Sequence, residues 1–225
     1  MALKHEQPGL QASLYRPLTD GDIRAIAEAA FSVLEKRGMT VYSEEARRAL
    51  RSAGAQVDEE SVTVRMPRSM VEDAIASNPS CITLYSRDGE TDAVLERNQV
   101  HYGTGGTAIY VLDPETGERR PSTVQDVALN ARMVQALEHI HVFTINVFPN
   151  EIEDKDAIDI NRFFHAFDNT TKHVMGGVYS LEGCRKVVKM AEAIAGSASA
   201  LRERPFVSFI TLIISPFKST GTMAT

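Results

Sequence analysis

Residues 122–148 read STVQDVALNARMVQALEHIHVFTINVF, and this stretch decides the fold. Its first part repeats apolar residues at helical spacing, which places Val127, Ala131 and Val134 on one face of a helix. Its second part, from His141 to Phe148, is a short apolar run typical of a strand that is buried on both faces. An amphipathic helix followed by a buried strand predicts one β/α unit of a parallel sheet.

The same alternation continues on both sides of this unit. The other strands are predicted at 100–104, 173–176 and 206–214, and the other helices from about Asp154 and from Ser180. The first helix is predicted to begin at Ser122, with Gln125 completing a capping box. Strands that alternate with helices predict an α/β fold, either doubly wound or a barrel. The chain stops after the fourth strand, so we expect a (β/α)8 TIM barrel truncated to about four β/α units.

The residues before these units have a different character. Helical signals dominate 1–80: Thr19 and Asp22 can form a capping box, Ser43 is a second N-cap, and Pro67 opens a third helix. The turn signal Asp88-Gly89 predicts a β-hairpin. We therefore expect three parts. They are an N-terminal helical extension at 1–80, a β-hairpin region with the first barrel strand at 81–121, and the β/α units at 122–225.

Composition limits the classes of function. Of the 225 residues, 43% are hydrophobic and 24% are charged, which is typical of a globular protein. The 24 basic and 30 acidic residues argue against a broad nucleic-acid-binding surface. The apolar run at 206–214 is too short to span a membrane, and the first residues lack the apolar core of a signal peptide. Cys81 and Cys184 are too few for a disulfide scaffold, so we expect a cytoplasmic protein without a membrane contact.

The segment Gly103-Thr-Gly-Gly-Thr-Ala108 matches the G-x-G-x-x-A pattern of dinucleotide-binding loops. That pattern requires a helix directly after the glycines, whereas Ile109 to Leu112 is strand-like. The sequence therefore disfavours a nucleotide. A glycine loop after the first barrel strand would instead lie on the ligand-binding face, which makes Thr104 and Gly105 candidate ligand contacts.

Two polar pairs suggest other chemistry. His139 and His141 could belong to the metal site of a metal-dependent TIM-barrel hydrolase, which is one alternative function. Both histidines precede their strand, at the edge opposite to barrel active sites, and two ligands are fewer than zinc requires. Lys172 and His173 also open a strand, so the same geometry favours a structural role for them. We expect no metal, and no motif identifies a catalytic residue.

Aromatic residues follow several of the predicted strands. Tyr102, Tyr110, Phe148 and Tyr179 lie at or just beyond strand ends. Aromatic rings can enclose a quaternary ammonium group by cation–π attraction. Rings at strand ends also occur as ordinary packing, so position alone leaves both interpretations open.

Several segments resemble the trimethylamine methyltransferase family in order and spacing. They are Val41–Ala46, Ala53–Asp58, Val64–Pro67, His101–Gly106, Arg119–Thr123, Asn169–His173 and Ile214–Pro216. The resemblance covers about residues 17–217 and corresponds to the N-terminal half of a family chain. It implies a (β/α)8 barrel with an N-terminal helical extension.

The resemblance also implies a function. Family members transfer a methyl group from a tertiary or quaternary amine, such as trimethylamine or glycine betaine, to the cobalt of a corrinoid carried by a separate protein. Founding members use pyrrolysine, whereas relatives such as glycine betaine methyltransferases do not. The chain itself would bind no cofactor, because the partner supplies the corrinoid. A corrinoid protein and a methylated amine are the expected partners, and a homo-oligomer is a further expectation.

For this function we expect a substrate site at the barrel mouth. Its candidate residues are Tyr102, Thr104, Gly105, Asn146, Phe148 and Tyr179. A non-catalytic truncated remnant of the family stays open as a second alternative, beside the metal-dependent hydrolase.

Overall fold

The computed structural model describes residues 10–11 and 15–219. These residues form two compact units. One contains 80–210 together with 10–11, and the other contains 15–79 together with 211–219. Within the described ranges, no helix is both long enough and apolar enough to cross a membrane.

The described part of the chain contains fourteen strands, seven α-helices and a short π-helix at Val33–Arg37. The strands are β1 (Leu10–Gln11), β2 (Met39–Val41), β3 (Gln56–Asp58), β4 (Thr63–Arg65), β5 (Cys81–Leu84), β6 (Ala93–Glu96), β7 (Gln99–Val100), β8 (Tyr102–Gly103), β9 (Tyr110–Leu112), β10 (Arg119–Pro121), β11 (Ile140–Thr144), β12 (His173–Gly177), β13 (Val207–Ile210) and β14 (Lys218–Ser219). The helices are α1 (Asp20–Ser32), α2 (Glu44–Ser52), α3 (Arg68–Ala76), α4 (Val124–Ala136), α5 (Lys155–Asn169), α6 (Leu181–Ala195) and α7 (Ala198–Glu203).

The unit at 80–210 is built on a four-stranded parallel sheet with the order β8-β11-β12-β13. Successive strands are connected by α4, by α5, and by α6 with α7. Spatial order therefore equals chain order, whereas a doubly wound sheet reverses its direction at a switch point. The predicted α/β class with parallel β/α units is confirmed.

One apolar core joins these helices to the sheet. Its fully buried members include Val127, Ala131, Phe143, Ile145, Phe163, Phe167, Val174 and Val187. Phe143 and Ile145 share one face of the β11 segment, as the alternation of side chains along a strand requires. Burying each large apolar side chain contributes about 1.5–3 kcal/mol, so this core gives the loops at the sheet edges a rigid base.

The unit at 15–79 and 211–219 has a smaller core around a four-stranded sheet with the order β14-β2-β4-β3. Val41, Ala55 and Val64 are its buried members. The capping box of Thr19 with Asp22 and the N-cap at Ser43 are both confirmed. These caps supply acceptors for amides that a helix leaves unpaired in its first turn.

The start of α4 differs from the prediction. Thr123 is the N-cap and forms the capping box with Asp126. Two 2.9 Å hydrogen bonds from Arg120 fix the Asp126 carboxylate, and the same arginine holds the pKa of Asp126 below its usual range. The hydroxyl of Ser122 instead donates to the carbonyl of Phe148 at 2.6 Å. The prediction of Ser122 with Gln125 was wrong because the guanidinium selects the neighbouring pair.

The last strand is also shorter than predicted. β13 covers only Val207–Ile210, and Leu212, Ile213 and Ile214 are about half exposed or more. Residues from 211 onward belong to the other compact unit, so their apolar character does not reflect burial in the parallel sheet. The hairpin predicted around Asp88-Gly89 is confirmed by the antiparallel pairing of β5 with β6.

Candidate functional site

The carboxyl-terminal edge of the parallel sheet holds most of the candidate residues. There the chain leaves β8, β11 and β12 in loops that begin at Thr104, Ile145 and Val178. In parallel β/α proteins, ligands bind at this edge because the loops from neighbouring strands converge on it.

Phe148 and Tyr179 come together at this edge. Their rings pack edge to face, with centroids 5.5 Å apart and an interplanar angle of 85°. Phe148 is half-buried and Tyr179 is 38% exposed, so the pair is open to solvent on one side. The two residues follow successive strands, and the sheet brings their loops together.

The backbone at Phe148 is held from both sides. Its N–H donates to the carbonyl of Ala108 at 2.9 Å, and its carbonyl accepts the Ser122 hydroxyl at 2.6 Å. Asn150 donates from its carboxamide to the carbonyls of Ile109 and Ser122 at 2.8 and 2.9 Å. The loop after β11 is thus fastened to the loop after β8, which fixes the position of the Phe148 ring.

Tyr179 is held from below by α5. The buried Asp159 carboxylate accepts the backbone N–H of Tyr179 at 2.9 Å and that of Ser180 at 3.2 Å. Burial raises the pKa of Asp159, and these two amide bonds oppose the rise. The Arg162 guanidinium lies 5.1 Å from the centroid of the Tyr179 ring. The prediction missed both charged residues. Asp156, Asp159 and Arg162 follow one another at intervals of three along α5, and this spacing is the signal that could have found them.

Thr104, Gly105 and Asn146 complete this edge. The Thr104 hydroxyl donates to the carbonyl of Thr144 at 2.6 Å. The carboxamide oxygen of Asn146 accepts from Asn130 on α4 at 3.1 Å. Gly105 has no heavy atom within 4 Å of the place where a Cβ would lie. These residues therefore offer oriented polar groups beside an unobstructed stretch of backbone.

Tyr102 lies elsewhere. It pairs with Ile140, the first residue of β11, and its backbone N–H donates to Nδ1 of His141 at 3.1 Å. The structure therefore does not bring Tyr102 together with Phe148 and Tyr179, which follow the opposite ends of their strands. Tyr110 is also separate from them in the β9–β10 hairpin, where the Arg119 guanidinium stacks 3.8 Å from its ring centroid.

The glycine-rich loop leads into strands. Ala108 forms a parallel bridge with Val147, and the chain then enters β9. A dinucleotide site needs a helix N-terminus at this point to meet the pyrophosphate. The geometry therefore agrees with the sequence in disfavouring a nucleotide.

The histidines belong to the amino-terminal edge of the sheet. The ring of His141 packs edge to face against His101, with centroids 4.8 Å apart. Burial, and then the nearby His101, lowers the pKa of His141, while His139 is exposed. Among residues 15–219, no three His, Cys, Asp or Glu side chains are grouped as metal ligands. The hydrolase alternative thus finds no ligand set in the part that the structure describes.

Lys172 and His173 form structural hydrogen bonds at the same edge. Nζ of Lys172 donates to the carbonyls of Val134, Leu137 and Ile140 at 2.9, 2.7 and 2.6 Å. The His173 ring is hydrogen-bonded to the Tyr85 carbonyl at 3.0 Å and to the Ser208 hydroxyl at 2.9 Å. These contacts support the structural role that the sequence favoured.

The buried histidines predict an acid-sensitive fold. Burial lowers the pKa of both His141 and His173 in the folded chain, so the unfolded chain takes up protons first as the pH falls below about 6.5. We expect the free energy of unfolding to fall between pH 7.5 and 5.5, by at most about 1.4 kcal/mol per pH unit for each histidine. Urea unfolding at several pH values measures this.

His173→Gln should flatten that dependence, because its imidazole contributes to the slope. His139→Gln is the matched control, since His139 is exposed, and it should keep the full slope. Equal slopes for the two variants would contradict the assignment to His173.

Comparison with known proteins agrees with the resemblance. A family model described as trimethylamine methyltransferase (MTTB) matches residues 3–225. The trimethylamine methyltransferase MttB of Desulfitobacterium hafniense (strain DSM 10664 / DCB-2) is 35% identical over 200 residues, which are 89% of this chain and 40% of that protein. MttB of Methanosarcina thermophila is 30% identical over 168 residues, 73% of this chain and 34% of that protein.

A relative named for another substrate is also similar. The glycine betaine methyltransferase of Desulfitobacterium hafniense (strain Y51) is 27% identical over 207 residues, 91% of this chain and 42% of that protein. The chain thus spans about two fifths of the length of the curated relatives that it matches. With a family model matched over nearly its whole length, the chain belongs to the trimethylamine methyltransferase family.

Proposed function

We propose that the chain takes part in transferring a methyl group from a tertiary or quaternary methylated amine to the cobalt of a corrinoid carried by a partner protein. Phe148 and Tyr179 would hold the amine, with Thr104, Gly105 and Asn146 beside them. The observation that carries this proposal is the packed, half-open aromatic pair at the carboxyl-terminal edge of the sheet.

We also propose that the fold is part of a (β/α)8 barrel. Four parallel strands lie side by side in chain order, and each connection between them contains a helix. This order is that of consecutive barrel strands, and it supports a barrel over a doubly wound sheet. In a barrel, the aromatic pair would lie at the mouth.

In the proposed reaction, the chain itself has to bind the amine and orient one of its methyl groups. The nitrogen of a quaternary amine is positively charged, and it becomes neutral when the C–N bond breaks and the electron pair stays on nitrogen. A tertiary amine lacks this charge and needs activation first, such as protonation of its nitrogen, so that it too leaves as a neutral amine. The corrinoid cobalt supplies the nucleophile when the partner is bound. The aromatic rings would desolvate the cation and direct one methyl group outward, so that the acceptor can approach it in line.

Leucine substitutions at the two aromatic positions test the site. Phe148→Leu and Tyr179→Leu keep apolar bulk but remove the ring, so each should weaken binding of glycine betaine or trimethylamine by about threefold to thirtyfold. Phe164→Leu is the matched control, because Phe164 is 50% exposed on α5 and packs edge to face on His165. Isothermal titration calorimetry measures the affinities.

Methyl transfer to a corrinoid protein is followed by the absorbance change of its cobalt. We expect the two site variants to slow transfer at subsaturating amine and the control to leave it unchanged. Equal affinities in all three variants would contradict the aromatic site. Amine binding without transfer, in the presence of a reduced corrinoid protein, would leave the chain a binding remnant rather than a transferase.

A further inference from the structure

We propose that the two opposite buried charges of Asp159 and Arg162, three residues apart on α5, tune Tyr179 for a cationic substrate. Arg162 lies over one face of the ring, and Asp159 offsets the positive charge of Arg162 so that an ammonium group can bind the exposed part of the ring. This inference rests on the proposed function, and it names two positioning residues that act through Tyr179.

Arg162 is an unusual residue for the interior of a helix. It is 1% exposed, and its Nη1 donates to the carbonyl of Gly177 at 3.2 Å. Its Nε is buried and has no hydrogen-bond partner among the described residues. Burying a guanidinium with an unsatisfied N–H costs free energy. The contact between Arg162 and the Tyr179 ring, at 5.1 Å, offsets part of this cost and gives the buried charge a role at the site.

Asp159 lies one helical turn before Arg162 and is fully buried. Its carboxylate accepts the amides of Tyr179 and Ser180, so the negative charge lies directly beneath the loop that carries the ring. Gly183 leaves the space for it, because a Cβ there would lie 2.4 Å from Oδ2 of Asp159. The site thus has room for one carboxylate at a fixed place.

The two charges act in opposite directions on a bound cation. A guanidinium over an aromatic ring repels an ammonium group bound to the same ring, since the interior screens charges weakly. The Asp159 carboxylate, which accepts the backbone amide of Tyr179, attracts it. With both charges present the ring attracts a cation, and with the Arg162 charge alone it attracts the cation more weakly.

The test compares a cation with its neutral isostere. Glycine betaine carries a quaternary nitrogen, and 3,3-dimethylbutanoate has a neutral carbon in its place. Asp159→Asn keeps an oxygen for the loop amides but removes the charge. We expect this substitution to lower the affinity for glycine betaine about fivefold to tenfold, and to change the affinity for the isostere by less than about twofold.

Asp92→Asn is the matched control. Asp92 is also a buried aspartate near an arginine, here hydrogen-bonded to Arg204, but it lies at the amino-terminal edge of the sheet. It should leave the ratio of the two affinities unchanged. Equal weakening of both ligands by Asp159→Asn, or an unchanged ratio, would overturn the proposal and leave Asp159 a purely structural residue.

A measurement without ligand separates this inference from the proposed function. The ring carbon chemical shifts of Tyr179 respond to the local electric field, so Asp159→Asn and Arg162→Met should move them in opposite directions. If the unaltered chain binds neither ligand, the proposed function fails. The chemical shifts still test whether the charges of Asp159 and Arg162 act on the Tyr179 ring. Shifts in the same direction, or none, would contradict it.

Discussion

Replacing Gly183 by alanine should destabilise the chain by about 3 kcal/mol, near the upper end for overpacking a core. The added Cβ would lie 2.4 Å from Oδ2 and 2.9 Å from Cβ of Asp159, and 2.9 Å from Oγ of Ser180. Neither side chain can move away without losing hydrogen bonds, because Asp159 accepts two backbone amides and the Ser180 hydroxyl caps α6. Chemical denaturation measures the loss.

Gly21→Ala is the control for this substitution. Gly21 also lies in the first turn of a helix, but its added Cβ would meet only Oγ1 of Thr19 at an ordinary 3.5 Å. Stability should stay the same or rise slightly, since alanine favours the helix. A Gly183 variant as stable as the Gly21 variant would mean that the Asp159 carboxylate is not fixed beneath the loop.

Replacing Lys172 by methionine should cost a similar amount, about 3 kcal/mol. Nζ of Lys172 satisfies three carbonyls at the end of α4 and the start of β11, and methionine keeps the aliphatic stem but donates nothing. Hydrogen bonds to a charged group contribute about 1.5–3 kcal/mol, and buried carbonyls left without a donor add to the loss.

Thermal and urea unfolding of the Lys172 variant measure this effect. Lys189→Met is the control, because Lys189 is exposed on α6 and its loss should change stability by less than about 0.5 kcal/mol. If both lysine variants unfold alike, Lys172 does not anchor the helix end.

The two edges of the parallel sheet serve different purposes. At the amino-terminal edge, the polar groups of Lys172, His173 and His141 form hydrogen bonds with backbone carbonyls, a hydroxyl and a backbone amide. At the carboxyl-terminal edge, Phe148 and Tyr179 remain partly exposed above a rigid core. This division is why substitutions of the polar groups at the amino-terminal edge are expected to change stability, and substitutions of the exposed rings at the carboxyl-terminal edge to change binding.

The helices and strands of this unit could be predicted because burial controls them. The apolar period of α4 and the continuous apolar run of β11 both follow from packing in the same core. The start of α4 could not be predicted, because two overlapping capping boxes compete and a side-chain contact outside both of them, the bidentate bond from Arg120 to Asp126, selects Thr123.

The candidate site was predictable only in part. Phe148 and Tyr179 follow their strands in the sequence, so convergence at one edge could be expected. The place of Tyr102 depends on the register of β8 against β11, which the sequence does not specify. Asp159 and Arg162 were missed because charged residues on an amphipathic helix normally face solvent.

The most direct test of the aromatic site is to determine where a methylated amine binds on the chain. Titrating the isotope-labelled protein with glycine betaine or trimethylamine, and recording intermolecular nuclear Overhauser effects from the N-methyl protons, measures this. We predict effects to the ring protons of both Phe148 and Tyr179, with none to Tyr102. Saturable binding whose N-methyl contacts lie on other residues would contradict the aromatic site at the carboxyl-terminal edge.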